Sequence, residues 1–171
     1  MASDIASVVS ETRLEYLHSN VKIVLTTDVS KLSYAGKTVE DLKKGSVVNV
    51  WQWVADVLVS MGCAEYVAKP MGSTQLMQLE WREKNNPADI QPLDKHFYIE
   101  WMREAEKGDR DTARRLADII TMRMMKIVGL AAKRLDGEIA KKLTPEEEAL
   151  YRQVYNIVER WMKTMTPKES G

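Results

Sequence analysis

Scarce residue types limit what this 171-residue chain can be. It has one cysteine, Cys63, and two histidines, so its sequence supplies neither an intrachain disulfide nor a closed zinc site of the Cys and His type. No apolar run approaches the roughly 20 residues that cross a bilayer, and the first residues lack the basic and apolar regions of a signal peptide. We therefore expect a cytoplasmic protein without a metal or a cofactor.

An excess of charge of either sign is also missing. The 25 basic residues equal the 25 acidic ones, so the formal net charge is zero. Proteins dedicated to nucleic acids carry surplus Lys and Arg, which neutralise phosphates and release counterions. Strong direct DNA binding is therefore not expected. The composition, 44% hydrophobic and 29% charged, is typical of a folded protein.

The first part of the chain mixes short helices with strands. A short amphipathic helix is predicted near the N-terminus, over residues 5–16. Residues 21–25 alternate and are β-branched, and residues 47–50 form a second predicted strand. A short helix over residues 51–59 and a returning strand over residues 64–67 follow. The pattern predicts a small β-rich domain.

The second part of the chain has the periodicity of helices. Four are predicted, over residues 74–83, 94–108, 111–135 and 145–165. Asp94 is the expected N-cap of the second of these. The segment Lys69-Pro70-Met71-Gly72 breaks the chain between the two parts. The predicted fold class is α+β, with an N-terminal helix and a small β-rich domain over residues 1–69 and a mainly α-helical bundle over residues 70–171.

The last helix has a strong start signal. Thr144 occupies the N-cap position, Pro145 the first helical position and Glu147 the third, which is the pattern of a capping box. In a capping box the threonine hydroxyl accepts a bond from the backbone of the third residue, whose glutamate side chain bonds back to the N-cap. Structural roles are therefore predicted for Thr144 and Glu147.

The helix over residues 111–135 carries more apolar surface than one stripe facing a core requires. At about 100° per residue, its main stripe comprises Leu116, Ile120, Met124, Ile127 and Ala131. Past residue 121 the opposite side of this helix also becomes apolar. The apolar face of the last helix is likewise widened on one flank. Tyr and Met are favoured at protein interfaces. The predicted subunit-interface residues are Met122, Met125, Gly129, Ala132, Tyr151, Tyr155 and Met162. The alternative is a thick monomer core with a few exposed methionines.

Arg123 lies about 60° from the centre of that main stripe. An arginine keeps its charge in proteins, so burial requires a carboxylate or several carbonyls to satisfy it. We expect a structural ion pair with an acid on a neighbouring helix, and Glu147 or Glu148 is the expected partner. The alternative is an arginine that reaches solvent along the edge of the stripe.

Two patterns suggest chemistry that their context does not support. Gly36-Lys37-Thr38 matches the end of a phosphate-binding loop, but the loop's first glycine is replaced by Lys31. The pairs Glu80-x-x-Glu83 and Glu106-x-x-Asp109 have the form of the Mg²⁺ motif of all-α nucleoside triphosphate pyrophosphohydrolases, although Gly108 interrupts the second pair. We predict no catalytic residue and no enzyme, with an Mg²⁺-dependent pyrophosphohydrolase as the enzyme alternative.

Four segments resemble one family when they are taken in order. Residues 44–51, followed by Ala55, resemble the passage into the short helix of the small β-rich B domain of GINS proteins. Residues 91–98, 123–127 and 143–151 resemble three parts of the helical A domain. The family often has proline near Val50 or Trp51, and this chain has none. A B domain before an A domain resembles the archaeal subunit that corresponds to the second and third eukaryotic GINS subunits.

The resemblance implies a non-catalytic scaffold in DNA replication. GINS assemblies are tetramers, in archaea usually with two copies of each of two paralogues. They bridge the MCM replicative helicase and a RecJ-like accessory factor, and primase or polymerase is a further implied partner. A small DNA-binding regulator is the other alternative function, and the balanced charge disfavours it.

Overall fold

A computed structural model of the chain describes residues 4–68, 72–134 and 139–166. The described residues divide into two compact units. The first comprises residues 13–68, and the second comprises residues 72–134 and 139–166 together with residues 4–12. The segment from Lys69 to Met71, where the sequence places the break between domains, lies outside the described residues. The predicted α+β fold class is confirmed. None of the described helices has the length and apolarity that a bilayer crossing needs.

The N-terminal helix is followed by five strands and a short helix. In chain order the elements are α1 Ile5–Leu17, β1 Asn20–Leu25, β2 Val29–Tyr34, β3 Lys37–Leu42, β4 Val47–Trp51, α2 Gln52–Ser60 and β5 Ala64–Tyr66. β1 is the central strand of an antiparallel sheet of order β4-β1-β5, and β2 and β3 form a separate hairpin. The strands predicted over residues 21–25 and 47–50 are confirmed.

The core of the first unit is apolar. Ile23 and Leu25 alternate along β1 and are fully buried, as the period of a strand with one face on a core requires. Val54 and Leu58 of α2, one helical turn apart, pack into the same cluster. The alternation of the sequence therefore sets which side of the sheet the short helix covers.

The second unit is helical. It contains α3 Ser73–Asn85, α4 Phe97–Glu106, α5 Arg110–Ala132, a 3₁₀ turn over Ala140–Lys142 and α6 Pro145–Met165. The expected N-cap at Asp94 is wrong, because α4 begins after His96 and the backbone carbonyl of Asp94 instead accepts a bond from the N–H of Phe97. α5 ends at Ala132, three residues before its predicted end at Leu135, and Leu135 itself lies outside the described residues.

The buried face of α5 differs from the predicted stripe. Ile120 and Met124 are 39% and 44% exposed, so their assignment to the core is wrong. The buried positions are Thr112, Leu116, Ile119, Arg123, Ile127 and Ala131. This face is rotated toward Arg123, which lies near its centre and not at its edge. The acids that surround Arg123 make this arrangement possible, because they satisfy a guanidinium that is buried away from water.

Two apolar clusters flank Arg123 along α5. Leu116 and Ile119 pack with residues of α3 and α4, whereas Ile127 and Ala131 pack with Ile90 and residues of α6. α5 is therefore the central helix of the unit, since it contacts α3, α4 and α6.

Candidate protein interface

The residues that suggested a phosphate loop form a hairpin turn. Ala35 and Gly36 connect β2 to β3 with φ angles of 47° and 76°. Positive φ at both central positions is the geometry of a two-residue hairpin turn, and it explains the glycine. Lys37 and Thr38 belong to β3 and pair with Tyr34 and Ser33. They do not follow a loop that opens a helix, so the phosphate-binding motif is absent here.

Three of the four carboxylates that suggested a Mg²⁺ site have other partners. Glu80 accepts a bond from Arg115 at 2.7 Å, and Glu83 is buried against two cations. Asp109 is the N-cap of α5, and its pKa is lowered first by the hydroxyl of Thr112 and then by the backbone N–H of Asp111. In the described parts of the chain, no three His, Cys, Asp or Glu side chains form a group that could hold a metal ion.

Arg123 lies at the centre of a buried ionic cluster, which we define as Glu83, Arg123, Lys126 and Glu147. Its side chain is 0% exposed. The guanidinium donates from Nε and Nη2 to the two oxygens of Glu147, at 2.6 and 2.8 Å. Nη1 donates to Glu83 and, at 2.8 Å, to the carbonyl of Gln91. Four N–H groups are thus satisfied, and the pair with Glu147 is bidentate.

Glu147 joins the start of α6 to two other helices. Its Oε2 accepts the backbone N–H of Thr144 at 3.1 Å, and the hydroxyl of Thr144 accepts the N–H of Glu147, which completes the capping box. Its Oε1 also accepts a bond from the hydroxyl of Tyr98 on α4 at 2.5 Å. One carboxylate therefore caps α6 and connects it to α4 and α5.

Glu83 and Lys126 extend the ionic cluster to α3 and the loop that follows it. Nζ of Lys126 donates to the side chain of Glu83 at 2.5 Å, to its backbone carbonyl at 2.7 Å and to the carbonyl of Asp89 at 2.9 Å. The backbone N–H of Gln91 donates to Glu83. The sequence did not predict that Glu83 belongs to this cluster. Its spacing of seven residues from the buried Leu76 was the signal, because both residues share one face of α3.

The buried ionic cluster is electrically balanced, with two cations and two carboxylates. Burial by itself lowers the pKa of Arg123, but the hydrogen bonds and the charge of Glu147 outweigh it and raise that pKa above its ordinary value. Burial, and after it the charge of Glu147, raises the pKa of Tyr98. Arg123 therefore stays charged and Tyr98 stays neutral. The residues are held by bonds to one another, which is a structural arrangement and not a site open to a substrate.

The residues predicted at a subunit interface differ in exposure. Met125 is 67% exposed, Ala132 and Met162 are also exposed, and Met122, Gly129 and Tyr155 are half-buried. Tyr151 is only 9% exposed and packs with Ile127 and Ala131, so its assignment to an interface is corrected to the core of the second unit. The widened apolar flank of α6 therefore combines a core residue, Tyr151, with the more exposed Tyr155 and Met162.

Further large apolar side chains of the second unit are exposed. Ile157, Trp161 and Met165 continue the apolar spacing of α6, yet each is about 60% exposed. Trp81 on α3 is exposed to a similar extent. Exposed tryptophan and methionine side chains are typical of surfaces that bind other proteins. The second unit thus presents apolar side chains on three helices.

Comparison with known protein families identifies the helical part of the chain. A family model described as the GINS complex protein helical bundle domain matches residues 74–166. This range covers more than half of the chain and includes α3, α4, α5 and α6. Among curated proteins, none matched the chain.

Proposed function

Since the chain belongs to the family of GINS complex proteins, we propose that it is a non-catalytic structural subunit that scaffolds the replicative helicase in DNA replication. The match to residues 74–166 carries this proposal. The chemistry of the described residues agrees with it, because three of the four carboxylates that could have held Mg²⁺, namely Glu80, Glu83 and Asp109, pair with cations or cap a helix.

The finer identity rests on the resemblance of the sequence to one kind of GINS subunit. We infer an archaeal subunit with the B domain, residues 1–69, before the A domain, residues 70–171. Its paralogous GINS subunit would be its direct partner, with two copies of each in the tetramer. The MCM helicase and a RecJ-like accessory factor would bind the assembly, with primase or polymerase as a further partner, in the cytoplasm.

The exposed apolar side chains of the second unit support a hetero-oligomer. Met125, Trp161 and Met165 are each about 60% exposed or more. Side chains of this size lose contact with water when a partner covers them, and the burial of their remaining apolar surface contributes about 25 cal/mol per Å². A paralogous subunit that covers them would account for the apolar composition of α5 and α6.

Co-purification with the paralogous subunit tests the proposal. The two full chains would be expressed together, purified through a tag on one of them, and weighed by native mass spectrometry. We expect a complex that contains both chains, with a mass that corresponds to two copies of each. Recovery of the tagged chain alone, as a folded monomer, would contradict the assignment.

The two alternative functions predict different measurements. A pyrophosphohydrolase would convert a nucleoside triphosphate to the monophosphate and pyrophosphate only when Mg²⁺ is present. We expect no such product with or without Mg²⁺. A DNA-binding regulator would shift duplex DNA in a gel with a steep dependence on salt. We expect no such shift at physiological salt, because the chain has no net positive charge.

A further inference from the structure

We propose that a groove on the second unit binds an acidic segment of the partner GINS subunit, anchored by an apolar side chain. The groove lies between the end of α3, the loop over residues 86–90 and the C-terminal half of α5, and its volume is about 450 Å³. This inference rests on the proposed function, and it adds the location and the chemistry of the contact.

The buried ionic cluster fixes one wall of this groove. Lys126 connects α5 to the carbonyls of Glu83 and Asp89, at 2.7 and 2.9 Å. Lys142 of the 3₁₀ turn holds the carboxylate of Asp89 at 2.7 Å. The loop after α3 is therefore attached to two other elements. A concave site whose wall is held by several bonds is already formed before a partner binds, which lowers the entropic cost of binding.

The floor of the groove is apolar and has open space. It contains Met122, Met125, Gly129 and Leu130 of α5. A Cβ atom built on Gly129 meets no atom within 4 Å, so the absence of a side chain leaves room for that of another molecule. Methionine side chains are flexible and polarisable, and they adapt to the shape of a bound apolar group.

The rim of the groove carries positive charge that no described residue neutralises. Glu83 is paired with Arg123 and Lys126, and Asp89 is paired with Lys142. Lys84 and Lys133 also line the groove, and neither side-chain ammonium group has an ion-pair or hydrogen-bond partner among the residues that the structure describes. Two unpaired ammonium groups beside an apolar floor fit a segment with carboxylates next to an apolar side chain.

The charge of the groove favours a different chain over a second copy of this one. The exposed apolar end of α6 could fill an apolar groove, but Arg160 and Lys163 accompany its single acid, Glu159. A basic helix end would face the basic rim. Nucleic acid would match the charge of the lysines but not the apolar floor, because phosphates and sugars are polar and would not form apolar contacts with Met125. The partner that fits both features is an acidic protein segment.

Zero-length cross-linking of the co-purified complex tests the position of the contact. A carbodiimide joins an ammonium group to a carboxylate only where the two are in contact, and mass spectrometry identifies the joined peptides. We expect Lys84 or Lys133 to be joined to an Asp or Glu of the partner subunit. Lys22, exposed on β1, is the control and is expected to remain unjoined. A complex in which neither groove lysine reacts with the partner overturns the inference.

Surface substitutions test its chemistry. We expect Lys84→Glu combined with Lys133→Glu to raise the Kd of the full chain for the partner subunit about tenfold, and Met125→Asp to act in the same direction. The matched controls are Lys22→Glu and Met77→Asp, which change exposed residues outside the groove. Thermal unfolding would check that every variant is folded. Groove variants that bind like the controls overturn the inference.

The two proposals fail in different ways. If the wild-type chains do not form a complex, the proposed function fails and this inference fails with it. If they form the complex and the groove variants bind normally, only the inference fails. A gel shift of duplex DNA that is lost in the lysine variants, together with normal binding of the partner subunit, would assign the groove to nucleic acid and would likewise overturn the inference.

Discussion

The first unit has an apolar core, whereas the centre of the second unit is ionic. Ile23 and Leu25 are the large fully buried side chains of the first unit, but Arg123 and Glu83 are as completely buried in the second. Apolar burial has no direction and scales with area. Charged hydrogen bonds have direction, so the buried ionic cluster specifies how α3, α4, α5 and α6 meet. A single substitution should therefore change the free energy of unfolding differently in the two cores.

The largest expected effect is the loss of Arg123. Arg123→Ala leaves Glu83 and Glu147 buried with less compensation, and breaking a buried pair in this way costs about 3–5 kcal/mol. We expect the free energy of unfolding in urea to fall by that amount, and assembly with the partner to be lost if the second unit unfolds.

Arg114→Ala is the control for that substitution. Arg114 lies on the same helix and forms only exposed ion pairs, with Asp111 and Asp118. Exposed pairs contribute little, so the unfolding midpoint should barely change. If both alanine variants unfold like the wild type, Arg123 is not part of a stabilising cluster.

A cavity in the apolar core is expected to have a smaller and less specific effect. Leu25→Ala removes a fully buried side chain from β1, and such changes cost about 2–5 kcal/mol. Leu25→Met keeps the volume and the apolar character, so we expect it to cost less than about 1.5 kcal/mol. Urea unfolding of both variants measures the difference. Equal losses would show that this core also depends on one specific side chain.

Loss of the N-cap is expected to be smaller again. Thr144→Ala removes the hydroxyl that accepts the N–H of Glu147, and the loss of a cap typically costs about 1 kcal/mol. Thr144→Ser keeps a hydroxyl and should recover most of that loss. If serine and alanine have the same unfolding free energy, the buried volume of Thr144, and not its cap bond, is what stabilises α6.

The ionic cluster should also make stability depend on alkaline pH. The pKa of Tyr98 is raised in the folded chain by burial and by Glu147, while unfolded tyrosine titrates near about pH 10. The contribution of Tyr98 is therefore present below about pH 10 and is lost as the pH rises above it. Unfolding measured from pH 8 to 11 should show a steeper loss in the wild type than in Tyr98→Phe. Parallel curves would contradict this linkage.

Sequence patterns predicted much of the local structure correctly, but they did not predict which of the two apolar faces of α5 is buried. The strand around Ile23 and the start of α6 at Thr144 followed from alternation and from capping, which involve neighbouring residues. The face of α5 was misassigned at Ile120 and Met124, because a helix that is apolar on two sides does not reveal which side meets the core. That choice depends on Glu83, which is far from α5 in sequence.

The candidate interface shows the same limit. Met125 and Gly129 lie on the groove, whereas Tyr151 is buried, although composition gave all three the same expectation. Residue type indicates that a side chain suits an interface, but exposure depends on which helices pack against it. A loop after α3 was predicted, but its packing against α5 and the role of Lys84 and Lys133 at the groove were not, because the groove forms only when distant segments meet.

The smallest effect on stability, at Gly129, separates folding from assembly. Gly129→Ala should stabilise the isolated chain by about 0.5–1 kcal/mol, because glycine within a helix costs conformational entropy and the added Cβ meets no atom. Gly129→Leu should also leave the isolated chain folded, but its side chain would occupy the groove that we assign to the partner. We therefore expect leucine to give a smaller species by native mass spectrometry and alanine to assemble more nearly like the wild type. Normal assembly of a folded leucine variant would remove Gly129 from the interface.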